Sequence, residues 1–265
     1  MSNQQSKGTA LVTGASGGIG EVYAERLADR GYDLILAARR TDRLEALAAK
    51  LRERTGRQVE VLRADLSRRA DIEALEQRLA TDEAITLLVN NAGISLNGSI
   101  LENGADAIES LLTINVTAPT LLSAAAAKAF KARDKGGIIN IASVLALVPE
   151  LFDGIYSGSK AHLVNVTLGL AKVLQGTNVH AQAVLPGATR TEIWDKSGKD
   201  VDALLPGKVM ETADLVDAAL LGYDRGEVVT IPTLHEEGHF RIYDSARKIM
   251  APLLSNKDVA PRYRA

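Results

Sequence analysis

Thr9-Ala-Leu-Val-Thr-Gly-Ala-Ser-Gly-Gly-Ile-Gly20 joins a short apolar run to a glycine-rich turn. The run Thr9–Thr13 has the β-branched and aliphatic character of a buried strand. Gly14, Gly18 and Gly20 follow in the spacing G-x-x-x-G-x-G, and the pattern from there to about Arg30 is that of a helix. A glycine turn in that position lets backbone N–H groups approach a pyrophosphate at a helix N-terminus. Gly31 suits the left-handed residue that ends such a helix.

The same alternation continues outward from this unit. Asp33–Ala38 reads as a second buried strand, and Thr41 as the N-cap of a helix with Leu44, Leu47, Ala48 and Leu51 on one face. Further strands are expected at Val59–Leu62, Leu87–Asn90, Gly137–Ser143 and Val179–Leu185, with helices near 68–80, 105–132 and 156–175. Apolar strands interleaved with helices imply an α/β fold, a Rossmann-like doubly wound parallel sheet covered on both faces. No repeat or linker divides the chain, so residues 1–265 read as one domain. It has a polar tail at 1–7, an irregular loop at 186–210 placed as a substrate loop, and a C-terminal extension at 233–265.

Composition narrows the function classes. Hydrophobic residues make up 46% and charged residues 24% of 265 positions, as in a soluble globular protein with a large core. A net charge of −2 gives no reason to expect nucleic acid or an anionic membrane as partner. Cys is absent, which excludes disulfides and thiolate metal sites. Met1–Gly8 has no apolar signal core, and no apolar run reaches the ~18 residues of a membrane span, so a cytoplasmic protein is expected.

Chemistry is concentrated downstream. Tyr156 and Lys160 are four apart and share one face of a helix. A cation held there favours tyrosinate, so a phenol of ordinary pKa about 10 would act nearer neutrality as a proton donor or acceptor. The second strand ends in Ala37-Ala38-Arg39-Arg40, where NAD-binding sites place an acidic residue for the ribose hydroxyls. Two guanidiniums in its place favour a 2′-phosphate, hence NADP(H) over NAD(H); the plain alternative is a solvated pair at a helix entry.

With Thr13–Gly20, Asp65, Asn90-Asn-Ala-Gly93, Asn115, Ser143, Tyr156-x-x-x-Lys160 and Pro186-Gly187 in order, the chain resembles the short-chain dehydrogenase/reductase family over roughly residues 8 to 232. The resemblance implies an NADP(H)-dependent oxidoreductase of carbonyls or alcohols, with Tyr156 as acid/base and Lys160 lowering its pKa and binding the nicotinamide ribose. It implies that Ser143 bonds the substrate oxygen and that Asn115 holds the water of a proton relay. On the cofactor side it implies Gly14, Ser16, Gly18, Ile19 and Gly20 in the turn, and Arg39 and Arg40 at the phosphate. Asp65 with Leu66 would meet the adenine, Asn91 and Gly93 the ribose, and Pro186, Gly187 and Thr191 the nicotinamide end. Two departures stand out. Gly158 replaces a usual Ala, and the turn has Ala15 and Ser16 where NADP users often add a basic residue. A homodimer or homotetramer through the helices near 105–132 and 156–175 is also implied, their Ala-rich surfaces at Ala124–Ala127 allowing close packing.

The expected substrate is a small carbonyl or alcohol. Val144, Leu145, Leu147 and Val148, with Trp194, suggest an apolar pocket, while Arg190 is placed to meet an acid if it does not face solvent. Two rivals come from other classes. His235-Glu236-Glu237-Gly238-His239 matches the H-E-x-x-H pattern of zinc hydrolases, with Asp244 or Asp258 as a third ligand. Gly238 inside the would-be helix and Pro232 before it speak against that reading, and no metal is expected. The other rival is a non-catalytic NADP-binding sensor, against which the full set of Asn115, Ser143, Tyr156 and Lys160 argues.

Overall fold

The structure is a computed structural model that describes residues 6–98, 100–191 and 201–264. Seven strands form one sheet, every neighbouring pair parallel, in the order β3-β2-β1-β4-β5-β6-β7. They are β1 Thr9–Thr13, β2 Asp33–Ala38, β3 Val59–Arg63, β4 Ile85–Asn90, β5 Gly136–Ile141, β6 Val179–Val184 and β7 Val229–Thr230. Among the described residues the helices are α1 Gly18–Asp29, α2 Thr41–Thr55, α3 Arg69–Thr81, α4 Ala105–Leu112, α5 Ala118–Arg133, α6 Gly154–Val173, the single turn α7 Val201–Leu204, α8 Thr212–Asp224 and α9 Glu237–Met250. The Rossmann-like class expected from the alternation is the one observed. β7 and α8 were not anticipated.

Successive strand residues go to opposite faces, and each face has its own core. Ala10 and Val12 of β1 and Leu34 and Leu36 of β2 pack with Tyr23, Leu27, Leu44, Leu51, Leu215 and Leu220 from α1, α2 and α8. Leu11 and Ile35 face the other way, toward Leu75, Leu79, Leu122 and Phe130 from α3 and α5. Burying a Leu or Ile side chain is worth about 1.5–3 kcal/mol, so the sheet is held firmly from both sides. The strand order reverses between β1 and β4, and ligands of such sheets bind beyond the strand C-termini at that switch point.

Several boundaries differ from those the sequence suggested. β5 stops at Ile141, so Ser143 stands past the sheet edge, where its hydroxyl caps a 3-10 turn by accepting from Leu145 N–H at 3.2 Å. Arg40, not Thr41, is the N-cap of α2, and no side chain bonds the cap. The expected helix near 105–132 is two helices, α4 and α5, joined by a π-turn at Thr113–Thr117. Gly31 does end α1: its N–H reaches Ala28 O at 3.0 Å and the Tyr32 N–H reaches Leu27 O at 3.0 Å, the paired bonds of a left-handed helix stop.

The stretch 105–133 is, among the described residues, the one long and apolar enough to cross a membrane by length and composition. Here it is a core element, burying Leu111, Ile114, Leu122 and Phe130. Its alanine run is only partly a surface: Ala126 and Ala127 lie in the core and Ala124 is exposed, because one face of α5 packs on α3 and the sheet.

The chain divides into two compact units, Met1–Pro232 and Thr233–Ala265. The second unit contains α9 and two 3-10 turns and buries none of their residues. In it Glu236 is the N-cap of α9, which starts at Glu237. His235 therefore precedes the helix and does not share a helical face with His239. Among the described residues no group of three or more His, Asp or Glu could hold a metal ion. This geometry gives the zinc-hydrolase reading no support.

Candidate active site

At the switch point the glycine turn and the β4 end brace one another. The Thr13 hydroxyl accepts from the N–H groups of Asn91 at 3.0 Å and Ala92 at 3.1 Å, and donates to Val89 O at 3.3 Å. The Asn91 amide donates to Thr13 O at 3.0 Å and Gly14 O at 3.2 Å. Asn91 thus borders the cleft while its amide holds the turn in shape. Two glycines are required by this closeness. Gly14 has φ +67°, and a Cβ there would stand 2.9 Å from the Ala92 Cα. At Gly20 a Cβ would press into the Asn91 amide nitrogen and stand 2.5 Å from the Gly14 carbonyl oxygen. Gly20→Ala should therefore destabilise the fold by about 1–3 kcal/mol, the usual cost of overpacking. Thermal unfolding measures this, and an unshifted Tm would mean that the turn relaxes freely.

The cleft above the turn has a volume of about 670 Å³. Its walls take in nearly every expected cofactor residue: Gly14, Ser16, Gly18 and Ile19 along the turn, and Arg39, Arg40, Asp65 and Leu66 at one end. At the other end are Asn91, Gly93, Ser143, Tyr156, Lys160, Pro186, Gly187 and Thr191. Gly20 lies buried beneath the turn. The Arg40 guanidinium reaches back to the turn, with Nε donating to Ser16 Oγ at 3.2 Å and a terminal nitrogen to Ser16 O at 2.9 Å. A basic group is thus present at the turn although the turn's own sequence has none. Asp65 accepts from the Ser67 N–H at 3.1 Å and the Ser67 hydroxyl at 2.8 Å. Although partial burial works against it, the Ser67 hydrogen bonds and nearby Arg39 and Arg63 hold its carboxyl below the usual range. A glycine cradle at a helix N-terminus, flanked by cations at one end and a phenol at the other, fits a phosphorylated dinucleotide.

The opposite end is set by α5 and α6. A buried network fixes these helices on the sheet: the Asn90 amide donates to Ser123 Oγ at 3.0 Å and Asn140 Oδ1 at 2.9 Å, and the Asn140 amide donates to Thr167 Oγ1 at 2.9 Å. Sequence reading used Asn90 only as part of a motif and missed Ser123, Asn140 and Thr167. Polar residues inside otherwise apolar strands and helices were the available signal, since buried polar groups demand partners. Asn115 sits in the π-turn, a feature often found at functional sites. Its side chain grips the Ile94 backbone, accepting from N–H at 2.9 Å and donating to the carbonyl at 2.8 Å, and also donates to Ser159 Oγ at 3.2 Å.

Tyr156, Ser143 and Lys160 converge on the cleft, though not with the electrostatics expected from their spacing. The Lys160 ammonium donates to Ile141 O at 2.9 Å and lies 5.7 Å from the Tyr156 ring centroid. Burial brings Lys160 down to about 8 and pushes the Tyr156 phenol up to about 12, against a smaller lowering by its hydrogen bond to Ser143. Desolvation therefore outweighs any help the lysine gives. At neutral pH the phenol is protonated, the state of a proton donor.

Of the residues expected around the substrate, Val144 and Leu147 pack against Ala142, Val164, Ala183 and Leu185. Val144 and Leu145 both lie in the 3-10 turn after Ser143, and neither lines the cleft. Trp194 lies outside the described residues. Arg190 is held by carboxylates, bonding Asp202 at 2.7 and 2.9 Å and Glu211 at 2.8 Å, so it staples the segments around it. Phe152 was not anticipated. Its ring meets that of Tyr156 edge to face at 5.7 Å and is 39% exposed.

The short chain dehydrogenase family matches residues 8–202. The chain belongs to the short-chain dehydrogenase family. As such it is an oxidoreductase. Nodulation protein G of Rhizobium sp. (strain N33) is 34% identical to it over 236 residues, 86% of this chain and 95% of that protein. Among solved structures, a short-chain dehydrogenase from Sphingobium yanoikuyae in complex with NADPH matches this short-chain dehydrogenase with a TM-score of 0.93 and 48% identity. That match covers 97% of this chain and 100% of the other. The bulky-bulky ketone specific alcohol dehydrogenase from Comamonas testosteroni matches with a TM-score of 0.90 and 40% identity, over 98% of this chain and 100% of that one.

Proposed function

We propose that this short-chain dehydrogenase transfers hydride between NADP(H) and a ketone, aldehyde or secondary alcohol, with Tyr156 as acid/base. The observation that carries the reading is the meeting of Tyr156, Ser143 and Lys160 at one end of a cleft whose floor is the glycine turn. The cofactor supplies the hydride when bound. Tyr156, protonated at neutral pH, gives its proton to the carbonyl oxygen, and the Ser143 hydroxyl stabilises the charge developing there. Lys160 and Thr191 would hold the nicotinamide end, and Arg40 with Ser16 the 2′-phosphate end. The NADPH-bound relative supports NADP(H) over NAD(H).

For the substrate we infer a ketone or alcohol with bulky apolar substituents. The exposed face of Phe152 beside Tyr156 supports this, as does the alcohol dehydrogenase specific for bulky ketones among the similar structures. The pairing of Arg190 with Asp202 and Glu211 removes the one cation considered for an acid substrate. The assembly is proposed to be a homodimer or homotetramer, to be read by light scattering. The functional test is NADPH absorbance with a carbonyl panel. Aryl and branched ketones should be consumed faster than sugars or keto acids, and absence of NADPH oxidation across the panel would refute the reading.

A further inference from the structure

Tyr156 is the third residue of α6, in the turn of a helix most prone to fraying. The chain enters that helix through a closely tied segment. After the 3-10 turn Pro149–Leu151 and extended Phe152, Asp153 takes the N-cap position at φ −66°, ψ 129°. Its Oδ2 accepts from the Tyr156 N–H at 3.0 Å. Its carbonyl oxygen accepts from the Ser157 N–H at 3.0 Å and from the Ser157 hydroxyl at 2.8 Å.

This cap is unusual within the chain. At the N-caps of α1 and α4 stand glycines, and the N-cap side chains of α2, α3, α5, α8 and α9 make no capping hydrogen bond. Among the described residues, side-chain caps occur only on α6 and on the 3-10 turn headed by Ser143. Both caps therefore set the backbone that carries the Ser143 and Tyr156 hydroxyls. A capping bond stabilises a helix start by about 0.5–2 kcal/mol, a modest gain for a fold with this much core. Its value at α6 lies in the place where it acts.

We infer that Asp153 is a positioning residue for Tyr156, its capping carboxylate locking the first turn of α6 so that the phenol stays in register with Ser143; this rests on reading Tyr156 as the acid/base. The carboxylate is needed as an acceptor rather than as a charge. Its other oxygen, Oδ1, is buried and has no partner among the described residues, so an Asn carrying the same acceptor should serve as well.

Three forms are compared: wild type, Asp153→Ala and Asp153→Asn. In Asp153→Ala, kcat should fall about tenfold, the scale of a small misplacement of a reacting group, with KM for NADPH unchanged. Asp153→Asn should restore kcat to within about twofold of wild type, as Asn and Asp cap equally well. Amide hydrogen exchange at Tyr156 gives a readout independent of turnover. It should be faster in Asp153→Ala by about tenfold or more and near the wild-type rate in Asp153→Asn, in line with loss of a capping bond. A kcat in Asp153→Ala within about twofold of wild type overturns the proposal, and so does failure of Asn to rescue. If the wild-type protein oxidises no NADPH with any carbonyl, the functional reading falls. Exchange alone then decides the role of Asp153, an unchanged rate in Asp153→Ala overturning it.

Discussion

Tyr156→Phe should lower kcat for carbonyl reduction by about 10²–10⁴-fold, the range that a positioned general acid contributes, with NADPH affinity nearly unchanged. The substitution removes one oxygen and keeps the ring. The edge-to-face contact with Phe152 at 5.7 Å, the Lys160 ammonium 5.7 Å from the ring and the Asp153 cap all remain available to Phe. What is lost is a hydroxyl on the wall of the cleft, at the end where Ser143 stands, whose pKa burial pushes up to about 12. Turnover followed by NADPH absorbance and binding followed by cofactor fluorescence separate the two effects. A non-catalytic sensor would have no turnover to lose, and a catalyst that keeps its rate without the phenol would refute the assigned role. The sign of the pH dependence follows from the same shift. Reduction needs the protonated phenol, which persists through neutral and mildly alkaline pH. Oxidation of an alcohol needs the phenolate, so its rate should rise as pH approaches the raised pKa, and Tyr156→Phe should abolish that rise.

The sheet was readable because its strands are short apolar runs bounded by turns, and because the alternation with helices leaves one plausible way to bury them. The C-terminal edge was harder. β7 is two residues long, below any periodic signal, and α8 follows a stretch rich in Gly and Pro that hides its face of Leu215, Val216, Ala219 and Leu220. The π-turn around Asn115 left no local mark, since Thr113–Thr117 continues the apolar pattern of the helices on either side. Nearly every cofactor residue named from motifs lies around the cleft, yet much of what these residues do structurally was not visible there. Asn91 and Asn115 engage backbone groups rather than projecting freely, and Ser143 owes its placement to the end of β5. The pKa expectation failed for a physical reason. Sequence spacing places a cation near a phenol, but only the packed structure shows that both are desolvated and that the ammonium is engaged by Ile141.

Arg40→Ala should weaken NADPH binding by about 10–100-fold, the worth of one charge-assisted hydrogen-bonded contact at about 1.5–3 kcal/mol, and leave NADH binding within about threefold of wild type. Arg40 is the N-cap residue of α2 but makes no side-chain capping bond, so the substitution costs the helix little. Its guanidinium is half-buried against Ser16, whereas Arg39 is exposed. A half-buried cation is less screened by salt and already ordered, so it should contribute more to a bound 2′-phosphate than its neighbour does. Arg39→Ala is accordingly expected to have the smaller effect, and one that fades as salt is raised. Fluorescence titration with both cofactors decides the matter. Equal losses for NADPH and NADH in Arg40→Ala would mean that the arginine acts by bracing the glycine turn through Ser16, and the preference for NADP would then need another cause. A loss confined to NADPH would place the phosphate at Arg40, a basic group that reaches the turn and supplies there the charge that Ala15 and Ser16 lack.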